Sequence, residues 1–370
     1  MLLDAQDLRD ILDGACILGA GGGGPYPLGE QLLEGVLSAN HPVELVGVDT
    51  VPKDARLAVA AGVGSPDAAA SGFPFDAATH AWDALDIQQQ PASGRALSHV
   101  LPGEVGAANS ILPMTVAATK GLPIVDGAGA ARAIPALQMC TYASRDVPLG
   151  AVVLANAGEQ VSFEAPNPST ADSAMRGIVS SGAFAEDAGV AMWAMDGDVM
   201  AKAIIPGTTD LARRLGATLR EARAGGDPVE AVRRFLGGRV LFRGTIESVA
   251  EQTEGGFDLG TVTLTDQAGA QFRIVNQNEN LVAWSDACPH PLALAPDLIC
   301  YLTEDGRPFS NADPDIPGHG PVVVIATPVD AAMRDPALVD TFIPVLREAG
   351  YGGPWIPVEK LWESASLAPS

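Results

Sequence analysis

The hydrophobic period of this chain changes near Val240, and that change limits the folds open to it. Before it, apolar residues recur at helical spacing. Leu8, Ile11, Leu12, Ala15 and Leu18 mark a helix over residues 4–18 that Asp4 caps, and Leu211, Leu215 and Leu219 mark another over 209–224. Short apolar runs alternate with these helices, at Val43 to Val48, Leu57 to Gly62 and Gly150 to Ala155. After Val240 the period becomes two: Leu241–Ile246, Thr261–Thr265, Phe272–Val275, Leu281–Trp284, Leu298–Leu302 and Val322–Ile325 are strands at close intervals. The expected fold class is therefore an α/β N-terminal domain over residues 1–165, with a mixed sheet, flanking helices and glycine-rich loops. A β-rich α+β C-terminal domain over 166–370, a sandwich or barrel, follows it. A hairpin is expected around Gly197, a helix over 133–142, and variable surface over 67–98.

Composition agrees with a packed α/β chain: 47% of the 370 residues are hydrophobic and 18% charged, with 41 Gly and 29 Pro. The net charge of −23, with no Lys/Arg cluster, argues against nucleic acid and anionic membranes as partners. The four cysteines are widely spaced, and the N-terminus, MLLDAQDLRD, has no basic-then-apolar leader pattern. A reduced, cytoplasmic protein is the expectation, and by general frequency a homo-oligomer.

Three stretches carry candidate chemistry. In GLPIVDGAGAARAIP (121–135), an apolar run ends on Asp126, a glycine- and alanine-only turn follows, and then Arg132. An acid leaving a strand end beside a small-residue turn reads either as a ligand site or as a helix cap. The run Gly21, Gly22, Gly23, Gly24 offers a nest of backbone N–H groups for an anion or a carbonyl oxygen, or else permits close approach of another segment. Glu104 and Asn109 sit at a helix entrance, facing a pocket or serving as local caps. The segment NQNEN (276–280) reads as a turn or as an edge presented to the first domain, and Cys16 is a further candidate nucleophile.

Together, LGAGGGG (18–24), GEVGAANS (103–110), PIVDGAGAARAIPALQM (123–139), LFRGTIESVAEQTEGGFDLGTV (241–262), NENLVAW (278–284) and APDLI (295–299) resemble the S-methyl-thiohydantoin desulfurase-like family, long catalogued as a domain of unknown function. The resemblance spans nearly the whole chain. It implies two domains, genomic company with hydantoinase- or oxoprolinase-type enzymes, and hydrolysis of an S-methylated thiohydantoin to hydantoin and methanethiol. Glu104, Asn109, Asp126 and Arg132 match the family pattern. Ala128, Ala131, Ala136 and Ala107 depart from it, as does the absence of an acid or Lys over Ala68–Ser71, which makes this a divergent member.

The expected activity is hydrolysis of a small five-membered cyclic amide, S-methyl-thiohydantoin or hydantoin-like. Asp126 or Glu104 activates water, Gly21 to Gly24 and Asn109 bind the ring, and Arg132 pairs with a substrate carboxylate. No cofactor is called for; a divalent metal stays open, with Ala128 in place of an acid arguing against tight binding. The alternative is a non-catalytic binding or partner subunit of a hydantoinase-type enzyme.

Overall fold

A computed structural model describes residues 1–64, 73–184, 187–254 and 257–366. Within them the chain forms the α/β and β-rich parts that its periodicity predicts. The first sheet has the order β1(Leu45–Val46), β4(Ile124–Val125), β3(His99–Pro102), β2(Arg56–Gly64), β8(Asp187–Asp196), β6(Ala151–Ala155), β7(Gln160–Glu164). Its first four strands are parallel, and β8, β6 and β7 are added antiparallel. Strand β8 lies beyond residue 165 in sequence but pairs with β2 and β6 in the middle of this sheet. The inner strands are buried on both faces, as their continuous apolar runs require, whereas the edge strand β7 alternates between exposed and half-buried residues.

On one face Ala58, Ala60, Val100 and Ile124 pack against α1(Ala5–Leu18), α2(Tyr26–Ser38), α3(Ala77–Ser93) and α4(Ala107–Lys120). On the other, Leu57, Val59, Leu101, Leu154 and Met192 pack against Ala171 and Met175 of the later helix Pro168–Val179 and against the C-terminal half. None of the helices among the described residues is long and apolar enough to cross a membrane.

The second sheet is antiparallel throughout, in the order β14(Ala293–Leu294), β13(Glu279–Ser285), β12(Gln271–Gln277), β11(Phe257–Thr265), β10(Arg239–Glu254), β16(Pro321–Thr327), β15(Leu298–Thr303). It curls into a nearly closed barrel around Val262, Leu264, Phe272, Ile274, Val322 and Val324. The Asn280 side chain of β13 donates to the Ile299 carbonyl of β15 at 2.8 Å, across the nearly closed seam.

Three sequence expectations change. Residues 77–93, expected as variable surface, form a helix whose buried side includes Ala77, Ala78, Ala81, Trp82 and Leu85; alanine at helical spacing is a weak burial signal. The Ala68–Ser71 stretch lies outside the described residues, as do residues 255 and 256, between the expected strands Leu241–Ile246 and Thr261–Thr265. Residues 133–142 are not one helix but a 3-10 turn, Leu137–Met139, and a four-residue helix, α5(Thr141–Ser144). Pro135 disfavours helical backbone at the residue before it. The expected hairpin around Gly197 is β8 followed by α7(Gly197–Ala203), where Ala201, Lys202 and Ala203 favour helix over strand; the helix Pro168–Val179 is α6.

Asp126 is a cap, although not of the next helix. Its Oδ1 accepts from Thr209 N at 3.1 Å and Asp210 N at 3.0 Å, the first turn of α8(Thr208–Arg223). A carboxylate there satisfies two amides and faces the positive helix end. Asp126→Ala is expected to cost about 1 kcal/mol of stability by denaturant unfolding, while ligand binding at the cavity described below is retained.

Candidate active site

β3 stops at Pro102, in register with Ala60 of β2, whereas β2 continues four residues to Gly64. That overhang is about 13 Å of strand. A cavity of about 180 Å³ fills the notch beside it, at the carboxyl ends of the parallel strands, where ligands of open α/β sheets bind. Its walls include Gly21 to Gly24, Glu104, Asn109, Asp172, Arg176 and Trp193, and the barrel closes it with Asn278, Glu279 and Asn311.

Glu104 leaves β3 two residues past Pro102. Its Oε1 accepts from Asn109 Nδ2 at 2.6 Å and its Oε2 from Ile134 N at 2.9 Å. Burial raises its pKa, and these two donors with Arg132 and Arg176 oppose that rise. Glu279 opens β13 and is buried, and its Oε2 has no hydrogen-bond partner among the described residues. Burial and the neighbouring Glu104 both raise its pKa, with Arg132 opposing. Two coupled carboxylates thus face one cavity, and the pair is asymmetric. The donors stabilise charge on Glu104, and Glu279 Oε2 has none among the described residues, so of the two Glu279 holds its proton more readily.

The glycine run is what lets the barrel reach this point. The Ala20 carbonyl accepts from Asn280 N and the Gly21 carbonyl from Asn311 N, both at 2.8 Å. A Cβ on Gly21 would lie 2.5 Å from Asn311 Nδ2, and one on Gly22 would lie 2.2 Å from Glu279 Oε1. Gly21, Gly23 and Gly24 have φ of +89°, +81° and +88°, which only glycine adopts without strain. The Gly23 carbonyl accepts from Ala108 N and Asn109 N at the start of α4. The N–H groups of Gly21, Gly23 and Gly24 have no acceptor among the described residues.

Of the sequence candidates, Gly21, Gly22, Gly23, Gly24, Glu104 and Asn109 come together here; Asp126 and Arg132 do not. Arg132 is fully buried behind the cavity. Its guanidinium donates to Ala133 O at 2.9 Å, Pro296 O at 3.2 Å, Asp297 O at 3.0 Å and Asn280 O at 2.9 Å. With these donors committed to backbone carbonyls, it is not placed to clasp a substrate carboxylate. The cation on the wall is Arg176, held by Asp172 at 2.9 Å and by Pro135 O at 2.8 Å. Cys16 is sealed in the core with its thiol pKa raised well above normal by burial; Cys140 is the cysteine on the wall, and burial pushes it to about 12. Neither is a thiolate at neutral pH.

Sequence reasoning missed Glu279 and Trp193. The acid inside NQNEN was the available signal for the first. For Trp193 there was none: it sits in a β8 irregularity with φ +50°, its ring 5.6 Å from that of Tyr142 and its Nε1 without a hydrogen-bond partner among the described residues.

Comparison with known proteins places this geometry in a class. The N-terminal domain of S-Me-THD-like proteins matches residues 6–165 and the C-terminal domain matches residues 166–352. The chain belongs to the S-methyl-thiohydantoin desulfurase-like family. It is also similar to a crystal structure of a protein from Chromobacterium violaceum, with 31% identity and a TM-score of 0.84 over 97% of this chain and 100% of that one. No curated protein matches it.

Glu279 tests the electrostatics. Its raised pKa means the folded state disfavours the ionised form, so stability is lost as pH rises from the ordinary carboxylate range through neutrality. Glu279→Gln is expected to raise the Tm at pH 8 relative to the parent, with the difference closing at pH 4. Thermal melts at the two pH values read this.

Proposed function

We infer that the protein hydrolyses a small five-membered cyclic amide of the S-methyl-thiohydantoin type, at its S-methyl isothiourea carbon. The observation that supports this most is the asymmetric pair Glu104 and Glu279 on one ring-sized cavity. The family's name points the same way. The carbon to be attacked lies between two nitrogens and a thioether sulfur, so it needs a base for water and an acid for the ring nitrogen.

Glu104, ionised, takes a proton from water as the oxygen bonds to that carbon, and Glu279, protonated, gives its proton to the ring nitrogen. As the tetrahedral adduct collapses, its hydroxyl proton returns to Glu279 and the carbonyl forms. The C–S bond breaks with its electron pair on sulfur, and Glu104 protonates the leaving thiolate. Hydantoin and methanethiol result, and both carboxyl groups regain their starting states. The amides of Gly21, Gly23 and Gly24 are the donors available to a ring carbonyl.

Incubation with an S-methyl-thiohydantoin and assay of released thiol tests the reading. Turnover is expected, with Glu104→Gln lowering kcat about 10²- to 10⁴-fold and Asp126→Asn leaving it near the parent value. Unchanged substrate with folded protein overturns hydrolysis and leaves the binding-subunit alternative, for which co-purification of a hydantoinase-type enzyme is the measurement.

A further inference from the structure

A second buried carboxylate region of the cavity is not used by this chemistry. Asp187 lines the same cavity and is 8% exposed; its backbone N donates to Phe184 O, but its carboxylate makes no hydrogen bond or ion pair among the described residues. Its position follows from register: Asp187 pairs with Gly64 and Gly189 with Gly62. Cross-strand partners share a face, and so do residues two apart. A side chain at Gly62 would meet Leu112 at 2.5 Å and the Phe73 ring at 3.5 Å, so Asp187 lies on the face that carries Leu112 and Phe73. Val190 and Met192, one residue out of phase, pack in the core on the opposite face, the side of Trp193. The cavity therefore has two lobes joined through the notch. One holds the carboxylate pair; the other has apolar walls, Leu28, Leu112 and Phe73, and an unpaired acid.

We propose that this second lobe is a recognition subsite for a cationic arm on the substrate, a short aliphatic chain ending in an ammonium group. The reading deepens the function inferred above and rests on it for the ring chemistry. Leu28 and Leu112 take the methylenes, the Phe73 ring face attracts the cation, and Asp187 supplies the counter-charge. A pair made with a carboxylate as buried as Asp187 is worth more than its exposed equivalent. The cavity's charge agrees: with Glu279 protonated, Glu104, Asp172 and Asp187 still face a single cation on the described walls, Arg176, which Asp172 already matches. A carboxylate arm would meet net negative charge in this lobe.

Calorimetric titration of the full chain with three hydantoins, bearing 3-aminopropyl, propyl and 2-carboxyethyl arms, tests the subsite without requiring turnover. The aminopropyl probe is expected to bind at least tenfold more tightly than the propyl probe. Asp187→Asn removes that preference and leaves propyl binding unchanged, while Asp187→Glu retains most of it. Tightest binding of the carboxyethyl probe, an ammonium preference that survives in Asp187→Asn, or no binding of any probe overturns the subsite. Ammonium-selective binding without methanethiol release from the S-methyl analogues upholds the subsite and sinks the hydrolytic reading; turnover that ignores the arm does the reverse.

Discussion

The buried guanidinium of Arg132 joins the two halves of this protein. It leaves the small-residue turn of the first sheet and donates to carbonyls at Asn280, Pro296 and Asp297 of the barrel. Each of those oxygens would otherwise be a desolvated acceptor, and a charged donor is stronger than a neutral one. Burying the cation has its own penalty, shown by the lowered Arg132 pKa, and the nearby carboxylates of Glu279, Asp297 and Glu104 offset it. One residue thus ties the barrel to the first sheet, and its charge opposes the rise in pKa that burial imposes on Glu104 and Glu279.

That arrangement depends on the absence of side chains at the N-terminal loop. The barrel edge approaches Gly21 and Gly22 so closely that any Cβ would strike Asn311 or Glu279. The same residues whose φ values favour glycine are those whose amides remain unpaired beside the cavity. Close approach and an amide nest were alternative readings of the glycine run; the loop meets the geometric demands of both. Its carbonyls hold the barrel and the start of α4, and its N–H groups are left over.

Most of the architecture was legible because hydrophobic period is a local signal. The amphipathic stripes of α1 and α8 and the alternation after Val240 each report burial on one face. What escaped was non-local. Whether Asp126 serves a ligand or a helix depends on α8, some eighty residues away, whose first amides its carboxylate caps. Whether Arg132 is free depends on three carbonyls that reach it from beyond residue 279. Glu104 and Asn109 were recoverable because their hydrogen bond spans five residues at one helix entrance. Glu279 was visible only as an acid in an asparagine-rich turn, since its meaning lies in a partner from the other domain.

The asymmetry of the carboxylate pair follows from this division of labour. Glu104 belongs to the first sheet, at a strand end where the Asn109 amide and the Ile134 N–H are fixed by α4 and the following loop. Glu279 enters from the barrel and brings no donor of its own to Oε2. Two identical side chains, both raised in pKa by burial, are thereby given unequal stabilisation of their charged forms by the elements that carry them, which favours separate acid and base roles at one pH. The distinction needs both halves in place: without the barrel, Glu104 would be a solvated acid at a helix entrance, and without the glycine loop, Glu279 could not enter the cavity.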